Sequence, residues 1–255
     1  MSEGLVARLK STGGQRLDFS EVLADPWTTL AAKAMAERPV YLERDGRVSL
    51  GDLFEITGSP DARIRFTGDL QAVDRVGAGL KGGQVTIESS VGIEAGLGMS
   101  GGALVIEGNA GDRTGAAPLG HTRGMTGGEL IVRGSAGPEA GAYMRRGLLA
   151  IARSAGDRTG LGMIAGNVIV LGSAGSDTGL WSKRGSVVAL GEIAPPPTYS
   201  YACTYQPTHL RVILIRLRDR YRLPIRRRHL TGLYRRYSGD VAELAKGEIL
   251  VWTAQ

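Results

Sequence analysis

Between Gly77 and Gly191 the chain repeats one phrase about every 19 residues. A period of that length restricts it to an architecture built by stacking like units on one another. The phrase is Met-x-Gly-Gly-x-apolar-x-apolar-x-Gly-x-Ala-Gly, plain from Met99 to Gly111 and recurring with small changes at Met125, Met144 and Met163. Its second glycine falls at Gly83, Gly102, Gly128, Gly147, Gly166 and Gly185, with spacings of 19, 26, 19, 19 and 19. One repeat therefore carries a seven-residue insertion.

Each repeat is too short for a helix, a strand and two loops. The apolar pairs Val85/Ile87, Leu104/Ile106, Leu130/Val132, Leu149/Ile151, Val168/Val170 and Val187/Ala189 sit two apart, the period of a strand. Glycines bound each pair and supply turns that a Cβ would hinder. The expected fold is all-β: a right-handed parallel β-helix of roughly six or seven coils, about 30 Å long at strand spacing. The right hand is expected because a coil of 19 lacks the sixfold apolar beat of left-handed hexapeptide forms. The stretch Gly115 to Gly124, which contains the insertion, should project as a loop, and loops on a rigid frame often bind.

The expected organisation is an N-terminal α/β cap over 1–60, the β-helix over 61–194 and a basic helical extension over 195–255. In the cap, Val6 to Leu9 reads as a strand and Asp25-Pro26 as the start of a helix running to about Glu37. Val40–Leu42 and Val48–Leu50 read as strands around a turn at Asp45-Gly46. Such a cap would cover an otherwise open edge. Pro195-Pro196-Pro197 ends the repeats. Leu210, Ile213, Leu214, Leu217 and Tyr221 share a helical face, and Pro224 stops that helix. A strand over Ile215 to Arg222, alternating apolar with arginine, is the competing reading.

Gly77-Ala78-Gly79-Leu80-Lys81-Gly82 and Gly96-Leu97-Gly98-Met99-Ser100-Gly101 match the dinucleotide fingerprint. That motif needs a helix after it, whereas here a second strand follows at the repeat period. These glycines read as corners.

One cysteine, Cys203, excludes a disulfide framework and a thiolate metal site. No leader or membrane-spanning run stands at the N-terminus, so a cytoplasmic protein without membrane attachment is expected. The net charge of +6 lies wholly in the tail: residues 199–255 hold 11 Arg and Lys against 4 Asp and Glu, the preceding 198 hold 20 against 21. Arginine outnumbers lysine 26 to 5, which suits forked pairing with carboxylates or phosphates. For the tail, contact with an acidic partner protein ranks first, a small or polymeric anion second and nucleic acid last, since few aromatics and no nucleic-acid motif accompany the arginines.

Catalysis would need a nucleophile, a base and a group to hold developing charge. His121, His209 and His229 are scattered without metal-ligand spacing; His121, in the insertion, is the one worth testing. Asp112-Arg113-Thr114-Gly115 recurs as Asp157-Arg158-Thr159-Gly160, a pattern better suited to ion-pair ladders than to chemistry. No catalytic or metal-binding residue is assigned.

The glycine-rich repeat resembles the C-terminal β-helix domain of the glutamate synthase large subunit. A closer resemblance is to the free-standing β-helix subunit shared by formylmethanofuran dehydrogenase and the bacterial formyltransferase/hydrolase complex. It is carried by Gly51-Asp52-Leu53-Phe54-Glu55, Val73 to Gly83, the core from Gly96 to Gly191, and the ending Tyr237-Ser238-Gly239-Asp240 to Gly247-Glu248-Ile249-Leu250. The resemblance implies a non-catalytic, structural role in one-carbon metabolism, as in methylotrophic oxidation of formaldehyde to formate. Three kinds of partner are implied: an amidohydrolase-like chain holding zinc, a formyltransferase chain, and the counterpart of the chain that carries the pterin metal in the dehydrogenases. Tetrahydromethanopterin and a methanofuran-type coenzyme are implied for the complex, and no cofactor for this chain. Two alternatives are the corresponding β-helix subunit of a tungsten or molybdenum formylmethanofuran dehydrogenase and an amidotransferase-associated scaffold like that of glutamate synthase. Because methanofuran coenzymes carry strings of glutamate, Arg226, Arg227, Arg228, Arg235 and Arg236 could hold that chain, or instead dock a partner.

Overall fold

Short runs of β-formers between glycine-rich turns become strands, and the repeat period becomes their register. A computed structural model describes residues 4–44 and 46–253. The N-terminal part contains β1 (Leu5–Leu9), β2 (Leu17–Asp18), a 3₁₀ turn (Trp27–Thr29), α1 (Ala32–Ala36), β3 (Pro39–Leu42), β4 (Gly46–Ser49), α2 (Leu50–Leu53) and β5 (Phe54–Gly58). β6 (Arg63–Thr67) and β7 (Val73–Asp74) precede the repeats. Then come β8 (Gln84–Ile87), β9 (Ala103–Ile106), β10 (Glu129–Val132), β11 (Leu148–Ile151), β12 (Asn167–Val170) and β13 (Arg184–Ala189). The tail forms β14 (Ser200–Tyr205), α3 (Thr208–Tyr221), α4 (Arg227–Thr231), β15 (Leu233–Gly239) and β16 (Lys246–Thr253).

This topology corrects the expected all-β, right-handed parallel β-helix. The strands form one twelve-stranded mixed sheet, in the order β14-β15-β16-β13-β12-β11-β10-β9-β8-β6-β1-β5, and a second sheet in the order β4-β3-β2-β7. Strands β6 and β8 to β13 pair in parallel, with Val85, Leu104, Leu130, Leu149, Val168 and Val187 in register. Antiparallel pairs, β1 with β5, β14 with β15 and β15 with β16, stand at the two ends. Each repeat gives the long sheet a single strand. Elsewhere in the repeat, neighbours meet through isolated bridges such as Ala110↔Ala136 and Ala136↔Ala155.

Both faces of the long sheet are apolar, which explains why α3 is needed. Leu104, Leu130, Leu149 and Val168 lie in the main core, whereas Val105, Ile131, Ala150, Ile169 and Val188 project to the other face. There they pack with Leu210, Leu214, Leu217 and Tyr221 of α3. The helix read from Leu210 to Tyr221 is thus present, and its buried stripe covers the sheet. The rest of the tail differs from the helical extension expected: β15 and β16 return to the sheet, with β16 parallel to β13.

At the other end Phe19, Phe54 and Phe66 meet edge-on or tilted, with ring centroids 5.6 to 5.8 Å apart, tying the N-terminal residues to the sheet. The helix expected from Asp25 to Glu37 is broken. Trp27 turns into the core, Leu30 and Ala31 are extended, and α1 begins only at Ala32. Of the turn expected at Asp45-Gly46, Asp45 lies outside the described residues and Gly46 opens β4.

Candidate functional site

The repeat stacks equivalent side chains, so charge recurring at one phase becomes a row. Arg75, Glu94, Arg113, Glu139, Arg158 and Asp177 occupy the same phase and share a left-handed backbone, φ 53° to 60°. Their signs alternate. Arg75 bonds Asp18 at 2.5 Å and Glu94 at 2.7 Å; Arg113 bonds Glu94 at 3.1 Å and Glu139 at 3.0 Å; Arg158 reaches Glu139 at 3.0 Å. An ion-pair ladder is present, but not between the repeated Asp–Arg pairs expected: its carboxylates are Glu94 and Glu139 from neighbouring repeats and Asp18. Asp157 instead accepts the backbone N–H of Ser176 at 2.8 Å. Arginines engaged on both sides in this way act as structural ties.

A cavity of about 740 Å³ runs between α3 and the entrances of the parallel strands. Its wall carries Val212, Ile213, Arg216 and Arg220 of α3, and its floor includes Gly102, Gly128 and Gly147. Glu129 organises the charge: it receives the Tyr221 hydroxyl and pairs with Arg216 at 2.7 Å and Arg220 at 3.8 Å. Burial, the hydrogen bond and the negative charge of Glu129 together raise the Tyr221 pKa. The glycines are required by packing, since a Cβ on Gly102 would approach the backbone of Gly82 and Gly83 to 2.8 Å.

The five tail arginines do not gather at one point. Arg226, Arg227 and Arg228 are exposed at α4, with the Arg228 guanidinium 5.0 Å from the Trp252 ring centre. Arg235 and Arg236 are consecutive in β15, so they point to opposite faces. Arg236 pairs with Glu248 at 3.0 Å, whereas Arg235 lines a separate hollow with Ala174, Glu192 and Ile193.

His229 is buried, packs against Trp252 at 5.0 Å, and accepts the Arg226 backbone N–H on Nδ1 at 3.2 Å. Burial first, then Arg228 and Arg226, lowers its pKa. His209 and Cys203 are exposed. His121 is exposed in the insertion, where it borders a hollow of about 410 Å³ with Arg113, Glu139 and Tyr143. The insertion projects less than expected, because Ala116 and Ala117 are buried. Strand β8, not a helix, follows Gly82, so the fingerprint glycines are corners. Among the described residues, no group of three or more His, Cys, Asp and Glu side chains could hold a metal, and no helix is long and apolar enough to cross a membrane.

Asp240, named above only as part of the chain's ending, is fully buried and accepts backbone N–H groups from Trp181 and Ala242, both at 2.8 Å, a placement the sequence does not signal. Trp181 lies far off in the chain, and the short Ser-Gly-Asp segment carries no periodic signal.

Fold and surface together define a repeat-built α/β protein in which Glu94, Arg113 and Glu139 pair with one another along the array and the surface offers grooves and cations. No protein-family model matches the chain, and no curated protein matches it. Among solved structures it is similar to a chain of the formyltransferase/hydrolase complex (FhcABCD) from Methylorubrum extorquens, crystallised in complex with methylofuran. The two are 29% identical with a TM-score of 0.79, over 98% of this chain and 100% of that chain.

Proposed function

We propose that this chain is the structural, non-catalytic glycine-repeat subunit of a cytoplasmic formyltransferase/hydrolase complex. The observation that carries this reading is the end-to-end likeness to a chain of such a complex, over 98% of this chain and 100% of that chain. The commitment of the inner charged side chains to one another supports a scaffold role.

In this reading the complex transfers formyl from tetrahydromethanopterin to a methanofuran-type coenzyme and releases formate. An amidohydrolase-like chain with zinc and a formyltransferase chain carry the chemistry, alongside a counterpart of the pterin-metal chain of the dehydrogenases. The exposed Arg226, Arg227 and Arg228 suit contact with a partner or with a carboxylate-rich coenzyme chain; Arg235 offers a further cation in a separate hollow, and Arg236 is engaged by Glu248. The test is deletion of this chain from its native cells, followed by assay of formate release and of the size of the remaining assembly. Loss of both, restored by re-expressing the chain, is expected. Unchanged activity and assembly size would overturn the proposal.

A further inference from the structure

One cluster of cations stands outside the row, the groove and the tail arginines. Arg145, Arg146, Lys183 and Arg184 border a hollow of about 550 Å³, with Ile164 between the two pairs and Leu244 at its rim. The hollow spans three successive repeats, so the pairs stand about 10 Å apart at strand spacing. Lys246 follows Arg184 across the β13–β16 register. Among the described residues, the carboxylate paired here is Glu243, 3.7 Å from Lys183. The contrast with the α3 groove is clear, since there Arg216 and Arg220 are both held by Glu129.

The repeat does not need these cations. The positions equivalent to Arg146 and Arg184 are Gly101 and Gly127 in earlier repeats, where a Cβ would collide with the carbonyls of Lys81 and Ser100. Arginine replaces glycine only towards the C-terminal end of the array, where a second feature adjoins it. Buried Asp240 receives the N–H of Trp181 through its carboxylate, and its carbonyl accepts the N–H groups of Glu243 and Ala245. The loop is thereby fixed with Val241 64% and Leu244 51% exposed, next to Trp181, itself 50% exposed. Of these, Leu244 borders the arginine-lined hollow, and Trp181 and Val241 are joined to it through Asp240, the first by its N–H and the second as chain neighbour. A tryptophan and aliphatic residues on one fixed loop with arginines at its edge have the composition of an interface hot spot. Cations so placed call for carboxylates opposite them.

We infer that Trp181, Val241 and Leu244, with Arg145, Arg146 and Arg184, form a docking surface for an acidic, apolar-anchored segment of another polypeptide. The inference rests on the reading that the chain works within an assembly. The test places a benzophenone side chain at position 244 of the full-length chain in its native cells and identifies the cross-linked peptide by mass spectrometry. A peptide of net negative charge from a different chain is expected. The double substitution Arg145→Glu and Arg184→Glu should lower the yield by about tenfold or more without changing the melting temperature. Cross-linking to a second copy of this chain, to nucleic acid or to a basic segment would overturn the inference, as would no cross-link from the assembled chain. An acidic segment from a chain unrelated to formyl transfer would uphold the docking surface and count against the proposed function. Recovery of the formyltransferase assembly without a cross-link at position 244 would do the reverse.

Discussion

Glu94 and Arg113 form an ion pair at 3.1 Å in which the carboxylate side chain is only 4% exposed. The same carboxylate holds Arg75 on its other side at 2.7 Å. Glu94→Gln keeps the shape and removes the charge, leaving two arginines facing a neutral group. A loss of about 1–3 kcal/mol is expected, read as a lower urea midpoint with an unchanged m-value. Arg65→Gln, which breaks an exposed pair with Glu88 at 2.8 Å, should cost less than about 1 kcal/mol.

Leu214 of α3 is fully buried against the outer face of the sheet. Leu214→Ala should destabilise the chain by roughly 2–4 kcal/mol. Val212→Ala, on the solvent side of the same helix at 70% exposure, should be close to neutral. Equal effects of the two in denaturant titration would contradict the packing described.

Gly83 has φ +77°, and a Cβ there would collide with the Trp27 ring and lie 2.8 Å from the Ala62 carbonyl. Gly83→Ala combines a strained backbone with a clash against fixed neighbours, so a loss of at least about 1–3 kcal/mol is expected. A lowered melting temperature with a shifted Trp27 fluorescence maximum would register it.

His229 is held neutral by burial and by Arg228 and Arg226, so its pKa in the folded chain lies below the ordinary value of 6.5. Its contribution to stability is complete above about 6.5 and is lost as the pH falls through the lowered value. The melting temperature should therefore drop as the pH falls below about 6.5. His229→Gln should lessen that dependence, and an identical pH profile in the variant would contradict the assignment.

The 19-residue period makes the parallel register legible, since glycines and apolar pairs recur at fixed phase from Gly83 to Gly185. The alternating row is legible in outline from Asp112-Arg113 and Asp157-Arg158. Its glutamates are not, because Glu94 and Glu139 occupy the phase of an arginine in other repeats. The second apolar face of the sheet is written in Val105, between Leu104 and Ile106, where pairs two apart do not register it. Continuous apolar runs such as Ala103-Leu104-Val105-Ile106 signal a strand buried on both faces. The tail conceals its geometry in a similar way: Arg226 to Arg236 look like one basic cluster in sequence, but strand alternation separates Arg235 from Arg236. Glu248 then neutralises the latter.

Membership of a formyl-transferring assembly is tested by affinity purification of the full-length chain from its native cells, followed by native mass spectrometry. A single assembly is expected, in which this chain accompanies a formyltransferase-like and an amidohydrolase-like chain in fixed ratio. Recovery of the chain alone, or with a glutaminase or synthase, would contradict it.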